Sequence, residues 1–130
     1  MDWTVEFTPD FYREAKVLSK RYKSLKGDLS DFKDSIIQNP FQGVEIYPEI
    51  RKIRMPIASK GKGKAGGARV ITLTFCVSEK EGTIKFLIIY DKSDADTVDV
   101  KVVRSIVKDL GLDLELLKQE GRLREIKGCK

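Results

Sequence analysis

The 130-residue sequence predicts a single α+β domain. Three observations lead there: an alternating apolar N-terminus, two successive stretches with helical apolar spacing, and then short β-branched runs followed by one more helical stretch. A chain of this length fits one domain with a core of its own, whereas two domains would each be too small.

Trp3, Val5 and Phe7 alternate with Asp2, Thr4 and Glu6, the period of a half-buried strand. Thr8-Pro9 is an N-cap followed by a first-turn proline, and Phe11, Ala15, Leu18 and Tyr22 then share one helical face, predicting a helix over about 9–25. Gly27 is read as its end and Asp28 as the cap of a second helix. That helix carries Leu29, Phe32 and Ile36 and stops at Asn39-Pro40, which completes a helical hairpin. Strands follow over Glu45–Tyr47, Ile50–Ile57, Ala68–Val77 and Thr83–Tyr90, the last two joined by a hairpin loop. Ile84–Tyr90 is almost continuously apolar, as a strand covered on both faces should be. A further helix starts near Asp96 or Thr97, turns Val100, Val103, Ile106, Val107 and Leu110 inward, and ends at Gly111. Residues 1–111 are thus read as the domain and 112–130 as a short, helical, basic extension.

Net charge is +5, but the excess is local. Residues 50–78 hold seven cations (Arg51, Lys52, Arg54, Lys60, Lys62, Lys64 and Arg69) and no carboxylate, while the rest of the chain carries 18 basic against 20 acidic residues. One segment sets the sign of the field, and a field so concentrated attracts polyanions by counterion release. Histidine is absent, so any proton transfer falls to Lys, Arg, Tyr or carboxylates. Cys76 and Cys129 have no metal-ligand spacing and are read as free thiols. No apolar run approaches a membrane span and the N-terminus has no signal-peptide pattern, so the expected location is cytoplasmic, with no membrane association.

Lys60-Gly61-Lys62-Gly63-Lys64-Ala65-Gly66-Gly67 connects two of the expected strands. Its glycines satisfy G-x-G-x-x-G, but a strand follows where the dinucleotide fingerprint needs a helix, and no Gly-Lys-Ser/Thr ending makes it a P-loop. A loop carrying Lys60, Lys62 and Lys64 can instead follow a phosphate backbone, with Arg51 as a further RNA contact; a solvated hairpin tip is the alternative. Lys52 and Arg54, two apart on a strand, project from one face. Arg69 would meet them if its strand pairs antiparallel with theirs, and could then grip a phosphate through two parallel hydrogen bonds. Tyr90 and Lys92 could reach the same surface from a neighbouring strand. Basic protection of a sheet edge is the alternative for the strand cations. Residues 50–78 supply no carboxylates for a metal, and neither a metal nor another cofactor is expected. Asp91, Asp94, Asp96 and Asp99 are read as caps of the helix that follows them.

A strand, a helical hairpin, then strands bearing Ile50-Arg51-Lys52-Ile53-Arg54, Gly66-Gly67-Ala68-Arg69-Val70-Ile71 and Tyr90-Asp91-Lys92, followed by a helix, resembles the RelE/ParE superfamily of bacterial toxins. The likeness covers about residues 2–111 and is closest to the RelE and HigB-like branch. It implies a helical hairpin packed with the N-terminal strand on a small, mainly antiparallel twisted sheet, with a C-terminal helix. It also implies a type II toxin that cleaves mRNA on the ribosome without metal, restrained by a cognate antitoxin. Carried over by position, Lys52 and Arg54 would hold the phosphate or take a proton, Arg69 would stabilise the scissile phosphate, and Lys92 would be acid or second clamp, with Tyr90 beside them. RelE also uses a tyrosine at the start of its last helix, where this chain has Val98 and Val100, and that leaves the general acid and base open. The competing expectations are a ParE-like topoisomerase inhibitor and a non-catalytic basic domain that binds nucleic acid or an antitoxin. Few aromatics accompany the cations between residues 51 and 69, which counts against free single-strand recognition by base stacking.

Overall fold

The computed structural model describes residues 1–95 and 98–111, the side chain of Lys64 excepted. These form β1 (Asp2–Phe7), α1 (Pro9–Arg21), α2 (Leu25–Gln38), β2 (Val44–Tyr47), β3 (Ile50–Met55), a 3-10 turn at Ala58–Lys60, a single helical turn α3 (Gly63–Gly66), β4 (Ala68–Cys76), β5 (Glu81–Asp91) and α4 (Val100–Asp109). The strands make one mixed sheet in the order β1-β5-β4-β3-β2, with β1 parallel to β5 and the other pairings antiparallel. The α+β class is therefore as expected. Among the described residues no helix is long and apolar enough to cross a membrane. The proposed extension 112–130 lies outside the described residues.

The Thr8 hydroxyl accepts from Phe11 N–H (3.0 Å) and donates to the Leu87 carbonyl (2.7 Å). It therefore starts α1 and ties it to β5 in one step. The break between the helices falls elsewhere than the glycine suggests. α1 stops at Arg21 and α2 begins at Leu25, so Gly27 lies inside a helix and Asp28 is not its cap. The cause is tertiary. Tyr22 leaves helical geometry and donates its hydroxyl to Asp91 (2.5 Å), while Ser24 Oγ accepts from Ser59 N–H (2.8 Å) and Asp28 Oδ2 from Ala58 N–H (3.1 Å). These contacts with distant residues outweigh the weak local preference of one glycine. β3 ends at Met55 rather than Ile57 because Pro56 has no N–H to give the ladder.

Both faces of the sheet are covered. α1 and α2 bury Phe11, Leu18, Leu25, Phe32 and Ile36 against Ile53, Met55, Val70, Ile84, Phe86 and Ile89. On the other face α4 lays Val103, Ile106 and Val107 over Ile50, Ile71, Leu73 and Leu87. Asp99 caps α4, accepting from Lys101 N–H (2.8 Å), and Gly111 follows its end with φ +75°. The expected start at Asp96 or Thr97 lies outside the described residues. Cys76 belongs to a disulfide and is not the free thiol expected; Cys129 lies outside the described residues.

The pairing of β4 with β5 shifts between Ile71 and Thr72: Ile71 opposes Ile88 and Thr72 opposes Phe86, leaving Leu87 as the extra residue of a bulge. A one-residue insertion exchanges the two faces of everything beyond it. Before the bulge, Ile84 and Phe86 face the helical hairpin; after it, Ile89 does so, while Ile88 and Tyr90 join the α4 side. This shift decides which residues meet at the end of the sheet.

Candidate active site

Arg54 opposes Arg69 across β3 and β4, and Arg69 opposes Tyr90 across β4 and β5. Directly opposed residues share a face with Cβ atoms about 5 Å apart, so these three form one row on the α4 side of the sheet. Lys52, opposite Ile71, stands one step along the same face. The antiparallel pairing on which the sequence reading depended is present, and it brings Lys52, Arg54, Arg69 and Tyr90 together. Lys92 continues β5 past its end, its N–H donating to the Gly67 carbonyl at 3.0 Å.

The members of the row differ in access. Arg54 is exposed and Lys52 half-buried. Arg69 is only 5% exposed, its guanidinium donating to the carbonyls of Ala65 (2.9 Å) and Ala68 (3.2 Å). Ala65 sits in α3, whose terminal carbonyls have no partners within the helix and so take a cation readily. Arg54, at the sheet edge, also lines a cleft of about 160 Å³ with Asp28, Asp31, Phe32, Ser35, Gln42 and Pro56.

Two residues expected to contact RNA are placed elsewhere. Arg51 alternates with Lys52 and therefore belongs to the opposite face; it is 7% exposed, pairs with Glu45 (3.2 Å) and lies over the Phe41 ring. Lys60 is drawn inward rather than standing on a mobile loop. Its ammonium donates to Asp91 Oδ1 (2.6 Å) and Ser93 Oγ (2.7 Å) and lies 5.9 Å from the centre of the Tyr22 ring. Helical turns on both sides of Lys62 organise the lysine-glycine segment; Lys62 is exposed, and the side chain of Lys64 lies outside the description.

Asp91 is the centre that sequence reading missed. Its carboxylate is buried, and it accepts from Lys60, Tyr22, Arg21 (3.0 Å) and the Ser93 N–H (2.9 Å), while Arg21 also pairs with Asp94 (2.8 Å). Asp91 and Asp94 thus serve this network and not the cap of α4, which is Asp99 alone among the described residues. Burial by itself would raise the Asp91 pKa, but the hydrogen bonds from Lys60, Tyr22, Ser93 and Arg21 outweigh it and hold the group well below the usual carboxylate range. Tyr22 is raised, chiefly by its bond to Asp91 and then by burial. Arg21 is raised by Asp94 and then Asp91.

A pH dependence follows from these two shifts. The Asp91 contribution to stability is complete above the unfolded aspartate pKa of about 4 and is lost progressively as pH falls toward the depressed folded value. The Tyr22 contribution is complete below the unfolded tyrosine pKa of about 10 and is lost as pH rises through its raised folded value. Urea midpoints measured from pH 2 to 11 should form a plateau that drops at both ends. In Asp91→Asn the acid-side drop should shrink.

Compared with known proteins, the chain matches no protein-family model and no curated protein.

Proposed function

We propose that the chain is the toxin of a type II toxin-antitoxin module, a RelE-like endoribonuclease acting on ribosome-bound mRNA in the cytoplasm. The single observation that supports the reading is the row Arg54–Arg69–Tyr90 with Lys52 beside it. Two arginines directly opposed across a strand pair, with a lysine one step along the same face, offer several charge-assisted donors to one phosphodiester.

In this reading the 2′-hydroxyl of the RNA attacks the adjacent phosphorus. The P–O5′ bond breaks, leaving a 2′,3′-cyclic phosphate and a 5′-hydroxyl. Arg54, an exposed residue, holds the non-bridging oxygens, and Arg69, fixed by two carbonyls, presents a preorganised charge to the crowded phosphorane. Lys52 takes the 2′-hydroxyl proton, and Lys92 or Tyr90 protonates the leaving oxygen. The antitoxin, a separate protein, restrains the site.

A second reading has its own support: the burial of Arg69 and the neutralisation of Lys60 by Asp91 suit a non-catalytic protein that binds nucleic acid or its antitoxin, or a ParE-like topoisomerase inhibitor. The two separate on Arg54→Ala, a change at an exposed residue that leaves the fold intact. With translating ribosomes and no divalent metal beyond what they need, the wild-type protein should cut mRNA to cyclic-phosphate ends, and Arg54→Ala should cut about a hundredfold more slowly. Growth arrest with intact messages and altered DNA supercoiling would overturn the nuclease in favour of the ParE-like alternative.

A further inference from the structure

Basic residues outside 50–78 do not all belong to a solvated background. On α4, Lys101, Arg104 and Lys108 are exposed and recur at i, i+3 and i+7, which puts Arg104 on the flank next to buried Val107 and Lys101 and Lys108 toward the side of the helix away from the sheet. Arg104 fixes which flank that is: its guanidinium lies over the Tyr47 ring, 5.4 Å from its centre. Tyr47 opposes Ile50, and Val44 opposes Lys52. Along β3, then, the α4 side of the sheet presents Ile50 beneath Tyr47 and Arg104, then Lys52, then Arg54 at the reactive row. Val44, the neighbour of Lys52, is 65% exposed, and Lys52 and Tyr47 are half-buried.

Among the described residues, three nearby carboxylates are engaged or buried, whereas Asp28 and Asp31 line the cleft beside Arg54 and Asp109 is exposed on α4. Glu45 pairs with Arg51 on the other face, Asp99 caps α4, and Glu49 is buried at the β2–β3 turn. The cations of this region are thus Lys52 and Arg54, about 7 Å apart along β3, and Lys101, Arg104 and Lys108, about 5 Å apart along α4, with Arg104 tied to β2 through Tyr47.

We propose that these cations form the track of a single-stranded RNA: the substrate leaves the Arg54–Arg69 row past Lys52, passes Tyr47, and continues past Arg104 to Lys101 and Lys108 on α4. A linear polyanion is the partner such a series fits, because each phosphate meets one cation in turn. A chain whose scissile phosphate sits between Arg54 and Arg69 must run off along the strands, and toward Lys52 the surface is cationic. Tyr47, stacked by the Arg104 guanidinium, lies beside the path. The inference rests on the nuclease reading and extends it to substrate positions beyond the scissile bond.

The test is the salt dependence of binding to a fluorescent oligouridine. For single strands the slope of log K against log salt changes by about 0.7 for each cation removed. Arg104→Gln should flatten the slope by about that amount, Lys101→Gln with Lys108→Gln by about twice it, and Lys16→Gln with Lys20→Gln, on α1, not at all. Unchanged slopes in the α4 variants while Arg54→Gln still weakens binding would overturn the track and leave the nuclease reading standing. A wild-type protein that ignores the oligonucleotide and binds anionic-lipid vesicles instead would overturn both.

Discussion

Lys60→Met should destabilise the protein by about 3 kcal/mol and Asp91→Ala by about 5 kcal/mol, read as urea midpoints at pH 7. Both partners are desolvated, with side chains 8% and 0% exposed, and removal of either leaves a charge in a place water reaches poorly. The two losses differ because the cluster is shared. Without Lys60, the Asp91 carboxylate keeps Arg21, Tyr22 and the Ser93 N–H. Without Asp91, Lys60 keeps Ser93 Oγ and the face of Tyr22, and the Tyr22 hydroxyl loses its acceptor. Measured against the 5 to 15 kcal/mol that keep a typical domain folded, either loss is large. A change below about 1 kcal/mol for both variants would mean that the pair is solvated and the network dispensable.

Gly67→Ala is the second variant with a large effect, about 3 kcal/mol. A Cβ at this position would stand 2.2 Å from the Met55 carbonyl oxygen and 3.0 Å from Ile57 N and Pro56 Cα, all backbone atoms that cannot swing aside. Gly67 is also where the lysine-glycine segment joins β4, and its carbonyl accepts from Lys92 N–H. Relief of the clash therefore requires β3 and β4 to separate at the end of the sheet that carries Arg54 opposite Arg69. The variant should lose thermal stability and RNA cleavage together, whereas Arg54→Ala should lose cleavage alone. Equal stability of Gly67→Ala and the wild type would show that the strands are not held this close.

The two networks meet in one segment. Residues 58–67 are held by Asp28 and Ser24 at the start of α2, by Asp91 at the end of β5, and by the backbone of β3, and they supply the Ala65 carbonyl that fixes Arg69. A stretch that looks mobile from its glycines is thereby tied down on three sides; Gly61 and Gly63 supply left-handed turns, and Gly67 the close approach to β3.

Much of the architecture was legible because period and punctuation are local. The alternation in β1, the Thr8-Pro9 start of α1, the β-branched runs and the glycine after α4 all report on neighbours in sequence, and each was found within a few residues of its expected place. The grouping of Lys52, Arg54 and Arg69 was also legible, since one antiparallel pairing across a short connection is enough to produce it. Three things were not. The extra residue at Leu87 exchanges the faces of β5, and only then does Tyr90 join the cations while Asp91 turns toward Arg21, Tyr22 and Lys60. Charge alone does not tell a phosphate ligand from a buried ion-pair partner, so Lys60 and Arg51 looked like Lys62. The contact of Arg104 with Tyr47 joins residues more than fifty positions apart. What the sequence determined by itself was the set of elements and the concentration of positive charge, because both are sums over neighbouring residues. Which cations are open to an anion and which are neutralised was decided by the tertiary structure, because desolvation and pairing depend on groups that only the folded chain brings together.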